Sequence, residues 1–138
     1  MTENFDAETL AKLITANRQL QRVNAELEAF FDLSLDLLAI ANEHGTFIKL
    51  SKSWETATGW SREELMSRPF IYFVEEGDIP ETMEEDSRIV REGHAAVDFV
   101  NRYKCKNGGT VTLQWRSHSI NGKTYATARV LKECNDER

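Results

Sequence analysis

The chain has 138 residues, 41% hydrophobic and 29% charged, with a formal net charge of −6. That balance describes one globular domain plus an appendage, able to bury roughly two-thirds of its unfolded surface around a single core. An acidic chain offers no clustered basic face for a nucleic acid or an anionic membrane surface, and no run approaches the roughly 20 apolar residues that span a bilayer.

Met1 to Asp6 is acidic, unlike a secretory leader. Ala7 to Phe31 then carries no Gly or Pro and repeats with a period of seven. Leu13, Leu20 and Leu27 occupy the d position of that heptad, and Leu10, Asn17, Asn24 and Phe31 occupy a. Leucine at d with Asn at a favours a two-stranded coil whose register the Asn side chains fix at some cost in stability. At about 25 residues, roughly 37 Å, the helix is too long for a small sheet to cover. A homodimer through Leu10, Leu13, Asn17, Leu20, Asn24, Leu27 and Phe31 is therefore expected. The competing reading is an amphipathic helix folded back on its own domain, with Ile14, Val23 and Phe30 widening the stripe.

Leu37 to Ala41 reads as a buried strand, Glu43-His44-Gly45 as a turn and Thr46 to Leu50 as the partner strand. Ser51 or Ser53 can cap a short helix that Gly59 stops after Thr58. Ser61-Arg62-Glu63-Glu64 is a capping box opening a second short helix that ends before Pro69. Asp78-Ile79-Pro80-Glu81 repeats the signal, with Asp78 as cap, and this longer helix runs through Met83, Ser87 and Val90 to Gly93. Phe99 to Trp115 alternates apolar and polar positions around Asn107-Gly108-Gly109, a hairpin signal, because these residues accept the positive φ of tight turns. Asn121-Gly122 marks a second such turn before Thr124 to Val130, so the C-terminal part is a three-stranded antiparallel meander. Cys105 falls in a strand and Cys134 in the tail, with neither metal-ligand spacing nor a disulfide framework. Two free thiols in a reduced, cytoplasmic setting are expected.

Two strands, a cluster of short helices and a three-strand meander form the order of a PAS domain. The chain resembles that family over Asp36 to Leu131. The strings that carry the likeness are Asp36-Leu37-Leu38-Ala39-Ile40-Ala41-Asn42, Gly59-Trp60-Ser61-Arg62-Glu63-Glu64-Leu65, Arg68-Pro69-Phe70, Phe73-Val74 and Asn101-Arg102-Tyr103-Lys104-Cys105-Lys106-Asn107-Gly108 before Trp115. The resemblance, to PAS sensors that precede histidine kinases and diguanylate cyclases in bacteria, implies an α+β fold with a five-stranded antiparallel sheet in order 2-1-5-4-3 and helices on one face. Residues 1–34 are then a dimerising helix, 35–132 the PAS domain and 133–138 a tail, with an effector domain downstream where the chain is a fragment. It implies a non-catalytic sensory module that relays a conformational signal. The alternatives are a receptor for a small molecule or flavin, and a ligand-free dimerisation adapter. Three strings depart from the family: Ser51-Lys52-Ser53-Trp54 replaces Asn-Pro-Ala-Trp, Glu75-Glu76-Gly77-Asp78 replaces His-Pro-Asp-Asp, and Val130-Leu131-Lys132 replaces Asp-Ile-Thr.

The chemistry-bearing residues are few. Haem-binding relatives take a His from the longest helix of the domain, and Asp78 to Glu92 holds none; His44 and His94 lie in loops and His118 on a strand, so haem is not expected. Photoreactive relatives carry a Cys near the helix after Pro69, and Ser67 to Phe73 has none; a noncovalent flavin is left as the one cofactor to weigh. Glu81, Glu84, Glu85 and Asp86 read as a solvated acidic helix face, and Arg102 and Arg116 as solvent-facing strand residues. The expected lining of a pocket for a small apolar or aromatic ligand is Ile40, Ile48, Trp54, Trp60, Phe70, Phe73, Met83, Phe99, Tyr103, Leu113, Trp115 and Tyr125, with Leu38, Leu65 and Val90 beside them. The competing reading is that these residues fill a solid core.

Overall fold

The computed structural model describes residues 6–93 and 95–135. The chain divides into two units, Met1–Asp32 and Leu33–Arg138. Helix α1 spans Ala7–Leu33, and none of its residues is buried. The Asp6 carboxylate accepts from the Thr9 backbone N–H at 2.7 Å and caps its start. Leu20 and Leu27 are 64% and 60% exposed, so the heptad leucines form an open stripe.

The second unit runs β1 (Leu37–Ala41), β2 (Phe47–Leu50), α2 (Ser53–Thr58), α3 (Arg62–Met66), two 3-10 turns (Phe70–Phe73 and Glu76–Asp78), α4 (Ile79–Glu92), β3 (Ala96–Lys104), β4 (Thr110–Ile120) and β5 (Lys123–Lys132). The strands join one sheet in the order β2-β1-β5-β4-β3, as the family resemblance implies. Every pairing is antiparallel. At the β4–β5 turn Asn121 (φ 51°) and Gly122 (φ 81°) both take positive φ, the geometry of a tight hairpin turn whose twist matches its strands. Strand β3 carries a bulge between Val97 and Phe99, where Asp98 takes φ 61°.

Leu37, Ala39, Phe47, Trp54, Leu65, Phe73, Val74, Tyr103, Val111, Leu113 and Ala128 build one core between the sheet and the helical layer. The free edges of the sheet are tied to each other across that layer. Phe70 donates its N–H to the Gly45 carbonyl at 2.8 Å, beside β2, and Glu75 donates to Arg102 on β3 at 2.9 Å. The segment from Pro69 to Glu75 thus straps the two edges, satisfies backbone groups that an open edge would expose, and cups the sheet around its interior.

Several local expectations are corrected. Neither Ser51 nor Ser53 caps α2, whose N-cap is Lys52 with no side-chain bond. The Ser51 hydroxyl instead accepts from the Leu38 N–H at 2.9 Å, and Ser53 donates to the Asp36 carbonyl, so both hydroxyls anchor the start of β1. The Ser61–Glu64 capping box forms as expected. Asp78 stands at the N-cap of α4 but makes no cap bond, because Arg102 takes both of its oxygens. The guanidinium donates at 3.0 Å from Nε and 2.9 Å from NH2, and the Arg102 backbone N–H adds a bond of 2.8 Å. Arg102 is therefore not a free solvent-facing residue. The expectation of two free thiols is also overturned: Cys105 and Cys134 form a disulfide with their Cα atoms 6.2 Å apart. The meander causes this. Lys104 pairs with Thr110 and Thr112 with Lys132, so the residues after β5 return beside the β3–β4 turn.

The Asp78–Arg102 pair carries a pH signature. The Arg102 hydrogen bonds hold the Asp78 carboxyl below the usual carboxylate range against the opposing effect of its burial. A folded value lower than the unfolded one means that the stabilisation is complete above the unfolded value, about 3.9, and is lost as pH falls through the folded value. Arg102 is 46% exposed, so solvent screening keeps the effect small. Thermal melts of the wild type and Asp78→Asn should therefore differ at pH 7, begin to converge below about pH 4 and coincide only once pH has fallen below the folded value. A gap that persists unchanged into acid would remove the ion pair as its cause.

Candidate functional site

The register of the sheet places small side chains side by side on its inner face. Ala39 pairs with Ala126, and Ala126 with Ser117; the next row pairs Ala41 with Thr124. Where a large side chain would fill the space under the helices, these rows leave a hollow. Its volume is about 70 Å³. Phe47 and Phe70 wall it on the β2 side, Phe99, Tyr103 and Trp115 on the β3–β4 side, and Thr82, Glu85, Asp86 and Ile89 of α4 close over it. These four helix positions fall at i, i+3, i+4 and i+7, one face of a helix.

A buried hydrogen-bond chain fixes one wall. The Trp115 indole, which can only donate, gives its N–H to Asn101 Oδ1 at 2.7 Å and so sets the orientation of that amide. Asn101 Nδ2 then donates to Thr82 Oγ1 at 3.2 Å, and the Thr82 hydroxyl donates to the Asp78 carbonyl at 2.7 Å. Strand β4 is thereby linked through β3 to the first turn of α4. The other indoles are also satisfied, Trp54 by the Leu38 carbonyl at 3.0 Å and Trp60 by that of Lys104 at 2.9 Å. Burial pushes the Tyr103 phenol well above its ordinary range, helped by the negative charge of Asp86, and burial also raises the Asp86 carboxyl.

Of the twelve residues expected to line a pocket, Phe70, Phe99, Tyr103 and Trp115 do so. Trp54 and Leu113, both fully buried, pack in the core behind the cavity wall, as do Phe73 and, partly buried, Trp60; the last two meet edge-on at 5.5 Å. Ile40, Ile48, Met83 and Tyr125 do not reach the cavity. Ile40 and Tyr125 are cross-strand partners on the opposite face of the sheet, and Ile48, Met83 and Tyr125 are 45%, 49% and 41% exposed. Period two in the strands selects Ala39, Ala41 and Phe47 for the interior, not their larger neighbours. Of the companions, Leu65 is in the core, Leu38 is half-buried and Val90 is exposed. The acidic helix face is split likewise: Glu81 and Glu84 are exposed, whereas Glu85 and Asp86 are half-buried against the cavity. Arg116 is exposed, as expected; His44 is exposed, and His94 lies outside the described residues.

Sequence reasoning missed Phe47, Thr82, Asp86, Asn101 and the alanine rows. The signal that could have found them is the position of polar and small residues within the 3.6 and 2.0 periods, which a search for large apolar side chains passes over. Among the described residues no group of His, Cys, Asp and Glu could hold a metal ion, and no helix is long and apolar enough to cross a membrane.

Comparison with known proteins gives one family. Residues 47–131 match the model of the PAS fold. None of the curated proteins matches the chain. Among solved structures it is similar to a domain of a sensory box sensor histidine kinase/response regulator from Geobacter sulfurreducens, with a TM-score of 0.68 and 21% identity over 80% of this chain and 96% of that one. It is similar to the PAS domain of an HTR-like protein from Haloarcula marismortui, with a TM-score of 0.65 and 21% identity over 85% and 98%. The PAS domain of the quorum-sensing receptor RpfR from Cronobacter turicensis, solved in complex with BDSF, gives a TM-score of 0.63 and 13% identity over 72% and 96%.

Proposed function

The chain belongs to the PAS family, and from that premise we propose that it is a non-catalytic sensory module that admits a small molecule under α4 and relays its binding through a dimer. The observation that carries the reading is the hollow over Ala39, Ala126 and Ser117, in a core otherwise filled by packed aliphatic and aromatic side chains. The same fold in the RpfR PAS domain holds BDSF, which supports a ligand rather than a solid core. A volume of about 70 Å³ is well below the ~300–1,000 Å³ of typical cofactor pockets, which favours a compact ligand over a flavin. The absence of a His from α4 weighs against haem in the same place. Denaturing the purified protein and analysing the released small molecules by mass spectrometry tests this. The expected result is a compact organic molecule and no visible absorption. A flavin spectrum would replace this reading with the flavoprotein one.

The relay reading rests on α1. Its d-position leucines are exposed and the a-position Asn17 and Asn24 leave the seam marginal, which suits an element that must choose between two packings. The double variant Leu20→Glu/Leu27→Glu is expected to sediment as a monomer with an unchanged β-sheet circular-dichroism signal, while the wild type sediments as a dimer. A double variant that is still dimeric would move the interface off this helix.

A further inference from the structure

The two sulfurs of the Cys105–Cys134 bond are held unequally. Cys105 is 3% exposed and packs in the core, and its own turn keeps it there without help from the sulfur. Its N–H donates to the Gly109 carbonyl at 2.8 Å, and its carbonyl accepts from the Gly108 N–H at 3.0 Å. Cys134 is half-buried and lies past Lys132, where the pairing of β5 with β4 ends. The strand pairing therefore does not hold it. The disulfide and two bonds between Asn135 and Thr110 do, and Cys134 Sγ also rests 2.9 Å from the Ala57 carbonyl oxygen of α2. The bond is a clasp with one jaw built into the core and the other on a short segment laid against it. A reduced Cys105 remains a small apolar side chain in the same packing, so opening the clasp costs the core little.

We infer that this bond is a redox latch, a thiol–disulfide exchange site that dithiols open while the domain stays folded. It stands apart from the hollow under α4, so either reading can fail alone. A thiolate of the dithiol attacks Cys134 Sγ, the more accessible sulfur. The bond to Cys105 breaks, and the Cys105 thiolate takes a proton from water. The second thiolate of the reagent then attacks the reagent's own sulfur in the mixed disulfide, and Cys134 leaves as a thiolate that is protonated in turn. Two electrons and, by way of water, two protons pass to the protein, and the dithiol becomes a cyclic disulfide. Opening frees residues 133–135 from the β3–β4 turn and from α2, an order–disorder transition of one segment. It takes no bond from the pairings of β5 with β1 and β4, which reach no further than Lys132. What it uncovers is Gly109, whose missing Cβ leaves the space that Asn135 occupies.

The test is reduction of the 15N-labelled full chain with excess dithiothreitol at neutral pH, without denaturant. Amide resonances follow the fold, and the thiols formed are trapped by alkylation after an acid quench and counted by mass spectrometry. Both cysteines are expected to be alkylated. Amide shifts should move at Gly109, Thr110, Asn135 and around Ala57, while Leu37, Leu113 and Ala128 keep theirs. Hydrogen exchange at the Asn135 amide should quicken by about tenfold or more, the mark of a local opening. Removing the dithiol and adding oxidised glutathione should restore the first spectrum. Cys134→Ser should give the released spectrum with or without dithiothreitol. Thiols that form only in denaturant, or a reduced spectrum in which every sheet amide shifts together, would make the bond a fixed staple and overturn the latch. An Asn135 amide equally protected in both redox states would overturn it as well.

Discussion

Trp54→Ala is expected to destabilise the folded domain by about 3–5 kcal/mol, the range for truncating a fully buried aromatic side chain. A domain of this kind is stable by only ~5–15 kcal/mol, so the variant sits near the edge of folding. The size of the effect comes from where the indole lies. Trp54 is 0% exposed, with ring centroids 5.3 Å from Phe47, 5.6 Å from Tyr103 and 5.8 Å from Trp115. Tyr103 and Trp115 are themselves 5.7 Å apart, so three rings form a triangle, each supporting the other two. The lost hydrogen bond to the Leu38 carbonyl contributes less, because that oxygen also accepts from the Ser51 N–H at 3.0 Å. What dominates is the void, with lining atoms that lose their contacts. Urea unfolding followed by circular dichroism measures the change, and Trp54→Phe should fall between the two. A loss below about 1 kcal/mol, typical of a surface substitution, would mean that the triangle is not the keystone of the core.

The contrast between Trp54 and Tyr125 shows what the sequence could reveal. Both hairpin turns, the Ser61–Glu64 box and the stop at Gly93 were legible, since each is dictated by local backbone chemistry that a few residues carry, whereas the strand order came only from the family resemblance. Asn121-Gly122 needs no distant partner to be a turn. Which face of a strand is inward is a different question. Strand β1 reads Leu-Leu-Ala-Ile-Ala, apolar at every position, so alternation offers no sign of which parity is buried. The helix layer decides, and it selects Leu37, Ala39 and Ala41. Bulk alone points to Ile40 as inward, the opposite parity from the alanines that floor the cavity. On α4 the difference has the same origin: the apolar Met83 and Val90 read as pocket-side residues but are exposed, whereas Thr82, Asp86 and Ile89 line the cavity. A cavity is made by residues too small or too polar to fill it, and such residues are the ones that a hydrophobicity reading discards. The Asp78 cap failed for a tertiary reason, since a guanidinium from β3, 24 residues away, outcompetes the backbone N–H groups of its own helix.

Removing the Cys105–Cys134 bond is the second large expected change. It closes a loop with a sequence separation of 29, and the chain-entropy relation gives about 3–4 kcal/mol for a loop of that size. Native contacts around it argue that the bond is not a bystander. Asn135 donates its N–H to the Thr110 carbonyl at 3.2 Å, and its side-chain Oδ1 accepts from the Thr110 N–H at 2.8 Å, which pins the segment after β5 to the start of β4. Gly109 is required beneath it, because a Cβ there would stand 1.6 Å from the Asn135 carbonyl oxygen. The chain has thus made room for residues 133–135 against the β3–β4 turn, and the disulfide holds them there. Cys134→Ser should lower the urea midpoint of the oxidised protein by the equivalent of that loop term. Wild type treated with excess dithiol should fall by the same amount, and the variant should not respond to the dithiol at all. Hydrogen exchange should quicken at Thr110 and Asn135 in both. A wild type whose midpoint ignores reductant would show that the two sulfurs are not joined in solution, and the contact would then rest on the Asn135 hydrogen bonds alone.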